Sequence, residues 1–477
     1  MFSVRRRGAA RLAAAAVVSG VVATGAIAGA GAATAAEEAS QHQGGASATL
    51  GGLSDKSDDA VIHGDKDKSV KAGLFTMEVD QGGTLQTYCI DINHPTQPDA
   101  KYQETPWSGT SLNTNPEAGK IRWILENSYP QVNNLAELAQ KAGAGSLTEK
   151  TAAAGTQVAI WRYSDGADVD AVDPAAEKLA DYLQKSAQNI AEPKSSLTLD
   201  PPAVSGKAGE KLGPVTVHTN AGSAGLEAAD AAGAGVKIVD KDGKPVTSAT
   251  DGSRLFFDVP AGAAPGSAAL TVRATTTVPV GRAFASETRS QTQILAGSSE
   301  STVSAQATAN WAEKGAIPAV SAQKNCAKGG VDVTASNQGD KPFTFELAGQ
   351  RHTVEAGRTA TVTVPVKEDQ SYDFTITGPN GFQKEIKGVL DCKVASAGGE
   401  SVKGEQSPLP SASPASPGSG NGSGNGSAGD SAGGTGKGGD LAATGGSSAT
   451  PVIAGVAVVL VVLGGGTVFF LKRRKTA

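Results

Sequence analysis

Three cysteines occur in the 477-residue chain, and one of them lacks an evident partner. Cys89 stands in LQTYCIDIN, whereas Cys326 and Cys392 bracket one β-type stretch far downstream. An odd cysteine in a secreted chain points to an intermolecular bridge, a reactive thiol or another modification. A second residue is out of place. The segment SLTEKTAAAGTQVAIWRYSDG, residues 146–166, reads as a helix. Ser146 with Glu149 predicts a capping box, and Asp165-Gly166 predicts its stop. Ala153, Ile160 and Trp161 mark the apolar face, and Gln157 falls on that same face. Burying an amide without partners costs about 1–3 kcal/mol. Gly155 costs about 1 kcal/mol relative to Ala in a helix, and it admits another backbone at close range. Several chemistries fit these residues. Cys89 can be an inert core thiol with Gln157 hydrogen-bonded nearby, or the nucleophile of a Cys-His hydrolase or transpeptidase with His94 or His63 as base.

Positioning these groups requires a hairpin and a helix. GLFTMEVD, a turn at Gln81-Gly82-Gly83, and TLQTYCIDI predict two antiparallel strands. On the second strand Tyr88, Ile90 and Ile92 share one face, and Leu85, Thr87, Cys89 and Asp91 the other. Cys89 therefore lies on the more polar face, where another element can cover it. Further helices are expected in NPEAGKIRWILEN, with Pro116 at N1 after Asn115, in LAELAQKAG, and in DPAAEKLADYLQKSAQ capped by Asp173. Trp123, Ile124, Leu179 and Leu183 are their core candidates.

Two motifs then become specific. Tyr88-Cys89-Ile90-Asp91 and Thr156-Gln157-Val158-Ala159-Ile160-Trp161 resemble the two signatures of bacterial surface thioester domains, also called TQxA domains. GKIRWILENSYP, residues 119–130, is similar to the helix between those signatures. The resemblance covers about residues 60–190 and does not reach the rest of the chain. It implies a covalent bond from Cys89 Sγ to Gln157 Cδ, with ammonia lost. Holding thiol and carbonyl in attack geometry supplies an effective molarity of about 10⁵ M or more. The product stores reactivity, because a thiolate (ordinary pKa about 8.5) leaves more easily than an amide nitrogen. Water must be excluded, and Tyr88, Ile160 and Trp161 are candidate shields. An amine from a partner surface, most simply a lysine, then attacks Gln157 once. The resemblance thus implies a covalent adhesin and not a turnover enzyme. Asp91 reads as an ion-pair or turn group or as a catalytic one, and Thr156 as a donor to the thioester carbonyl or as a back-bond to its own helix. A noncovalent adhesin without the thioester stays open as well.

The ends and spacers set the context. Residues 1–36 read as a secretory signal peptide: arginines, an apolar Ala/Val run, then small residues. Residues 37–59 read as a flexible segment and 60–192 as a mixed α/β head. Short β-type runs with Gly, Pro and Asp turns predict all-β, immunoglobulin-like sandwiches at 195–300 and 323–395, with 301–322 between them a connector or a last strand. In the second, Phe343, Phe345 and Leu347, then Val362, Val364 and Val366, then Tyr372, Phe374 and Ile376 alternate inward. Cys326 opens that domain and Cys392 closes it, which argues for a disulfide worth about 4 kcal/mol, the alternative being two unpaired thiols. Residues 396–440, rich in Ser, Gly and Pro, read as a linker.

Residues 451–471 are apolar and long enough, at about 20 residues, to span a bilayer. The basic tail 472–477 places the rest of the chain outside the cell. Before this helix stands Leu441-Ala442-Ala443-Thr444-Gly445, which resembles the sorting signal of Gram-positive wall-anchored proteins in an LAxTG variant. That resemblance implies sortase cleavage between Thr444 and Gly445 and linkage of Thr444 to peptidoglycan, with membrane attachment only before sorting. A net charge of −5 with no basic stripe argues against nucleic acid. The scattered histidines His42, His63, His94, His218 and His352 share no ligand spacing, so neither a metal nor another cofactor is expected.

Overall fold

A computed structural model describes residues 44–230 and 233–393. The expected leader, linker, sorting pentapeptide, apolar C-terminal helix and basic tail lie outside those residues. No helix among the described residues is long and apolar enough to cross a membrane.

The head runs β1 (Ser47–Ile62), β2 (Lys68–Val79), β3 (Thr84–Cys89), β4 (Lys101–Thr105), α1 (Ala118–Asn127), α2 (Leu135–Ala142), α3 (Glu149–Ser164), β5 (Val169–Ala171) and α4 (Pro174–Ser186). The middle region follows with β6 (Leu197–Asp200), β7 (Ala203–Lys207), β8 (Lys211–Thr219), β9 (Ala224–Asp230), β10 (Lys237–Val239), β11 (Ser248–Ala249), β12 (Arg254–Asp258), β13 (Gly266–Thr277), β14 (Ala283–Ser286), β15 (Gln293–Ser298) and β16 (Glu300–Ala312). The C-terminal region holds β17 (Pro318–Asn325), β18 (Gly330–Asn337), β19 (Phe343–Leu347), β20 (Gln350–Val354), β21 (Arg358–Pro365), β22 (Ser371–Thr377) and β23 (Gln383–Val389).

The head sheet closes on itself. Its strand order is β2-β3-β15-β14-β4-β1-β5, and β1 also pairs with β2. Six antiparallel strands thus form a ring, with β5 added beside β1. Closure removes the open edges that a free sheet presents. Register shifts in β1 between Leu50 and Gly52 and between Leu53 and Ser57 let that long strand bend. Helix α3 packs on β1, β2 and β3 and against α1 and α4.

Two boundaries differ from the sequence expectation, and a third choice is decided by the structure. Residues 47–59, expected to be flexible, lie in β1 and are a full wall of the ring. Their alternation is interrupted by small and charged residues at the bends, which hides the period. Residues 283–298, expected in the first sandwich, leave it and insert β14 and β15 between β3 and β4. Strand periodicity reports a half-buried strand, not the sheet it joins. Residues 301–322, expected as a connector or a last strand, are strand: they supply most of β16, which lies between β13 and β7 in a five-stranded sheet, and the start of β17.

What remains of the first spacer is a two-sheet sandwich, β10-β12-β8-β6 against β11-β9-β13-β16-β7. One apolar cluster runs continuously from the head into it, from Ala46 to Trp311. The C-terminal region begins at β17 and has its own core of Val331, Val333, Phe343, Phe345, Ile376 and Ile386. Cys326 and Cys392 are disulfide-bonded there, as their placement predicted. Ser205 Oγ donates to Ile317 O at 2.7 Å, tying the two β regions together.

Candidate functional site

Helix α3 begins at an N-cap of Thr148, whose hydroxyl accepts from Thr151 N–H while Thr151 Oγ1 accepts from Thr148 N–H. The capping box is therefore Thr148/Thr151 and not Ser146/Glu149: two hydroxyls satisfy the N–H groups of Thr148 and Thr151, two residues later than expected. Helix α1 likewise starts at Ala118, with Asn115 Oδ1 accepting from Glu117 N–H at 2.8 Å in the turn before it. Asp173 caps α4 as expected.

Nearly the whole of α3 is buried, which explains its run of small residues. A Cβ on Gly155 would stand 2.4 Å from Ala176 O of α4, so glycine is what allows that backbone approach. The approach fixes the rotation of α3 and turns Gln157 toward the end of β3.

Gln157 is fully buried, and its amide pairs with the backbone of Cys89 on both sides. Cys89 N–H donates to Gln157 Oε1 at 3.0 Å, and Gln157 Nε2 donates to Cys89 O at 2.9 Å. The out-of-place glutamine is thus satisfied by the residue 68 positions earlier, which holds its side-chain carbon beside that cysteine. Cys89 is a free, buried thiol. One turn beyond Gln157, Trp161 Nε1–H donates to Cys89 Sγ at 3.0 Å. One turn further, Asp165 accepts from Ile92 N–H at 2.9 Å. Residues 157, 161 and 165 form one stripe that stitches α3 to the end of β3 and the loop after it.

Burial pushes the Cys89 thiol well above its ordinary range, the charge of Asp165 adds to this, and the Trp161 N–H opposes it. The sulfur is therefore held as a neutral thiol. Asp165, which the sequence marked only as a helix stop, is raised to about 7, chiefly by burial.

The other motif residues hold the frame. Tyr88 is fully buried and its hydroxyl donates to Tyr129 O at 2.9 Å. Thr156 Oγ1 donates to Ala152 O at 2.7 Å and meets Ser128 Oγ at 2.6 Å, so of the two roles weighed it is the back-bond that is present. Ala159 and Ile160 are fully buried core residues. Asp91, 2% exposed, accepts from Asn93 N–H at 3.2 Å and makes a short hydrogen bond to His94 Nδ1. His94 Nε2 lies 3.5 Å from Asp369, and His63 pairs with Asp67 and Asp170. Both ring nitrogens of each histidine are thus engaged by carboxylates.

The inserted strands complete the wall. Gln293 is the cross-strand partner of Cys89, and Thr87 Oγ1 donates to Gln293 Oε1 at 2.9 Å. Ile90 N–H donates to Thr292 O at 3.1 Å. Tyr102 OH meets Ser290 Oγ and donates to Gln291 O, both at 2.7 Å. The inserted pair is anchored by Arg282, whose Nε donates to Glu104 Oε1 at 2.9 Å with both side chains almost wholly buried. From the C-terminal region, Asp391 accepts from Thr292 Oγ1 at 2.8 Å. No local motif in the sequence marks any of these residues as neighbours of Cys89. Glu368, Asp369 and Asp391 lie close enough together to hold a cation, but their oxygens already serve Cys392 N–H and Lys393 N–H, His94, and Thr292.

Residues 318–389 match the family described as bacterial phospholipase C, C-terminal domain. No curated protein matches the chain significantly. Among solved structures, the Bacillus anthracis TIE protein is similar at 14% identity and TM-score 0.27, over 74% of this chain and 82% of that one. The thioester domain of the Enterococcus faecium TIE86 protein is similar at 16% identity and TM-score 0.27, over 56% of this chain and 97% of that one. Residues 86–189, which contain both Cys89 and Gln157, match the thioester domain family.

Proposed function

We propose that the chain is a cell-surface adhesin that attaches covalently through a thioester between Cys89 Sγ and Gln157 Cδ. The observation that carries this reading is the two-point pairing of the Gln157 amide with the Cys89 backbone, in a site closed to water. That pairing holds the amide beside the backbone of the residue that bears the thiol, which removes a diffusional step. A partner amine, such as a lysine side chain, attacks Gln157 and leaves an amide crosslink and the Cys89 thiol. The reaction happens once per molecule. The leader at 1–36, the sorting signal at 441–445 and the apolar segment 451–471 support export, sortase cleavage at Thr444 and attachment to peptidoglycan. A Cys-His hydrolase is the weaker reading, because the nitrogens of His94 and His63 are directed to carboxylates.

Intact mass tests the proposal. The mature chain is expected to be one ammonia lighter than its sequence less the disulfide hydrogens. Methylamine adds at Gln157, and Cys89→Ala abolishes both effects. An unshifted mass with Cys89 alkylatable under denaturing conditions would overturn the thioester.

A further inference from the structure

Trp161 touches the atom on which the chemistry turns. Its Nε1–H donates to Cys89 Sγ at 3.0 Å, and the ring is 2% exposed. An indole N–H can only donate. On a thiol it occupies a sulfur lone pair and leaves the S–H free to point elsewhere. Gln157 Nε2 is held close by through its bond to Cys89 O. The helix therefore presents the electrophile at 157 and a donor to the nucleophile at 161, one turn apart.

We propose that Trp161 is a catalytic residue of the thioester chemistry, donating to the sulfur in both directions, and not merely part of the hydrophobic wall. This rests on the covalent reading above. In bond formation Sγ attacks Cδ, the Sγ–Cδ bond forms, and the Cδ–N bond breaks. The sulfur's proton leaves with the nitrogen as ammonia. In attachment the amine nitrogen bonds to Cδ and the Cδ–Sγ bond breaks with its electron pair going to sulfur. The surplus proton of the amine ends on that sulfur, restoring the thiol. Sulfur carries developing negative charge in each direction, in a site where burial opposes that charge. A fixed donor aimed at developing charge in a water-excluded site lowers that barrier. Sulfur is a weaker acceptor than oxygen, so the expected effect is below that of an oxyanion donor.

Trp161→Phe in the full chain tests this, since Phe keeps an aromatic wall and loses the N–H. The expected result is a fall of about tenfold to a hundredfold in the rate of methylamine incorporation at Gln157. A wall residue predicts the opposite sign: a smaller ring loosens the shield, and the rate stays or rises. An unchanged or increased rate would therefore overturn the proposal. A second readout is the S–H stretching band in the Raman spectrum of the methylamine-opened chain. It belongs to Cys89 alone, because Cys326 and Cys392 are paired. It should shift in Trp161→Phe; a band that stays put means that no donor was lost. Should the Phe variant fail to fold, benzothienylalanine at position 161 keeps the bicyclic shape without the N–H and gives the same two readouts. The wild-type mass separates the failures. A chain that is not lighter by ammonia sinks the covalent reading. A lighter chain whose methylamine rate is indifferent to Trp161→Phe sinks only the role of Trp161.

Discussion

At the scale of single residues, Gln157 has two separable roles. Its amide satisfies the N–H and C=O of Cys89, and its carbonyl carbon is the proposed electrophile. Made in Cys89→Ala, where no thioester forms and the amide stays intact, Gln157→Ala removes both partners from buried backbone groups. Leaving such groups unpaired costs about 1–3 kcal/mol each way of counting, so a loss of about 2–3 kcal/mol is expected in denaturant unfolding. Cys89→Ala alone keeps those amide contacts while abolishing any covalent product, and should be the more stable of the two in the same assay. Similar losses for the two variants would mean that the amide pairing contributes little. Neither contact is visible in local sequence. Only the oddness of a glutamine on an apolar face, and of an unpaired cysteine, was legible.

At the scale of elements, the decisive feature is how closely α3 can lie against α4. Gly155→Ala should improve intrinsic helix propensity by about 1 kcal/mol. Yet the added Cβ would meet Ala176 O at 2.4 Å, a backbone atom that cannot swing aside. Overpacking of this kind costs about 1–3 kcal/mol, so the net expectation is a lower thermal midpoint, with slower methylamine incorporation as Gln157 rotates off Cys89. A more stable variant would show that the helices can separate freely. The inserted β14–β15 pair depends on another contact. Arg282→Ala leaves Glu104 buried without its cation, and breaking a buried pair in this way costs about 3–5 kcal/mol. Because β15 pairs with β3, hydrogen exchange at Thr87–Cys89 should rise in that variant; unchanged protection would mean that β14 and β15 are held by packing alone.

At the scale of the whole molecule, the C-terminal region reaches back to the loop after Cys89. Asp369 approaches His94, and Asp391 accepts from Thr292. The groups facing one another there are Asp91, Asp165 and His94 of the head, and Asp369, Asp391 and Lys324 of the C-terminal region. His94 is raised from 6.5 to about 9, first by its hydrogen bond to Asp91. A raised value means that the folded state holds the proton more tightly, so this contribution is complete below pH 6.5 and is lost as pH rises through about 9. Asp391 is raised to about 6 and Asp165 to about 7, both chiefly by burial, and they act with the same sign at lower pH. Their contribution fades as pH climbs from 3.8 through those values. The contact should therefore weaken steadily toward alkaline pH. Hydrogen exchange in 287–292 and 390–393, corrected for its intrinsic pH dependence, should show this. In His94→Gln the portion near pH 9 should vanish, while that of Asp165 at about 7 stays. A contact that tightens with rising pH would contradict the assignment.

The sequence alone determined the two residues that look out of place, Cys89 and Gln157, the helices around them, the disulfide pair and the inward faces of the last β region. These are local matters: residue type, period, capping and spacing act within a few positions of chain. Tertiary structure decided the rest. It closed the head into a ring with β1 and with strands drawn from some 200 residues beyond Cys89. It set Trp161 on the sulfur, Asp165 behind it and the C-terminal carboxylates beside His94. Alternation states which side of a strand is buried, but not which strand lies next to it. That choice is made by the burial of a shared core and the pairing of every backbone edge, and both are properties of the whole folded chain.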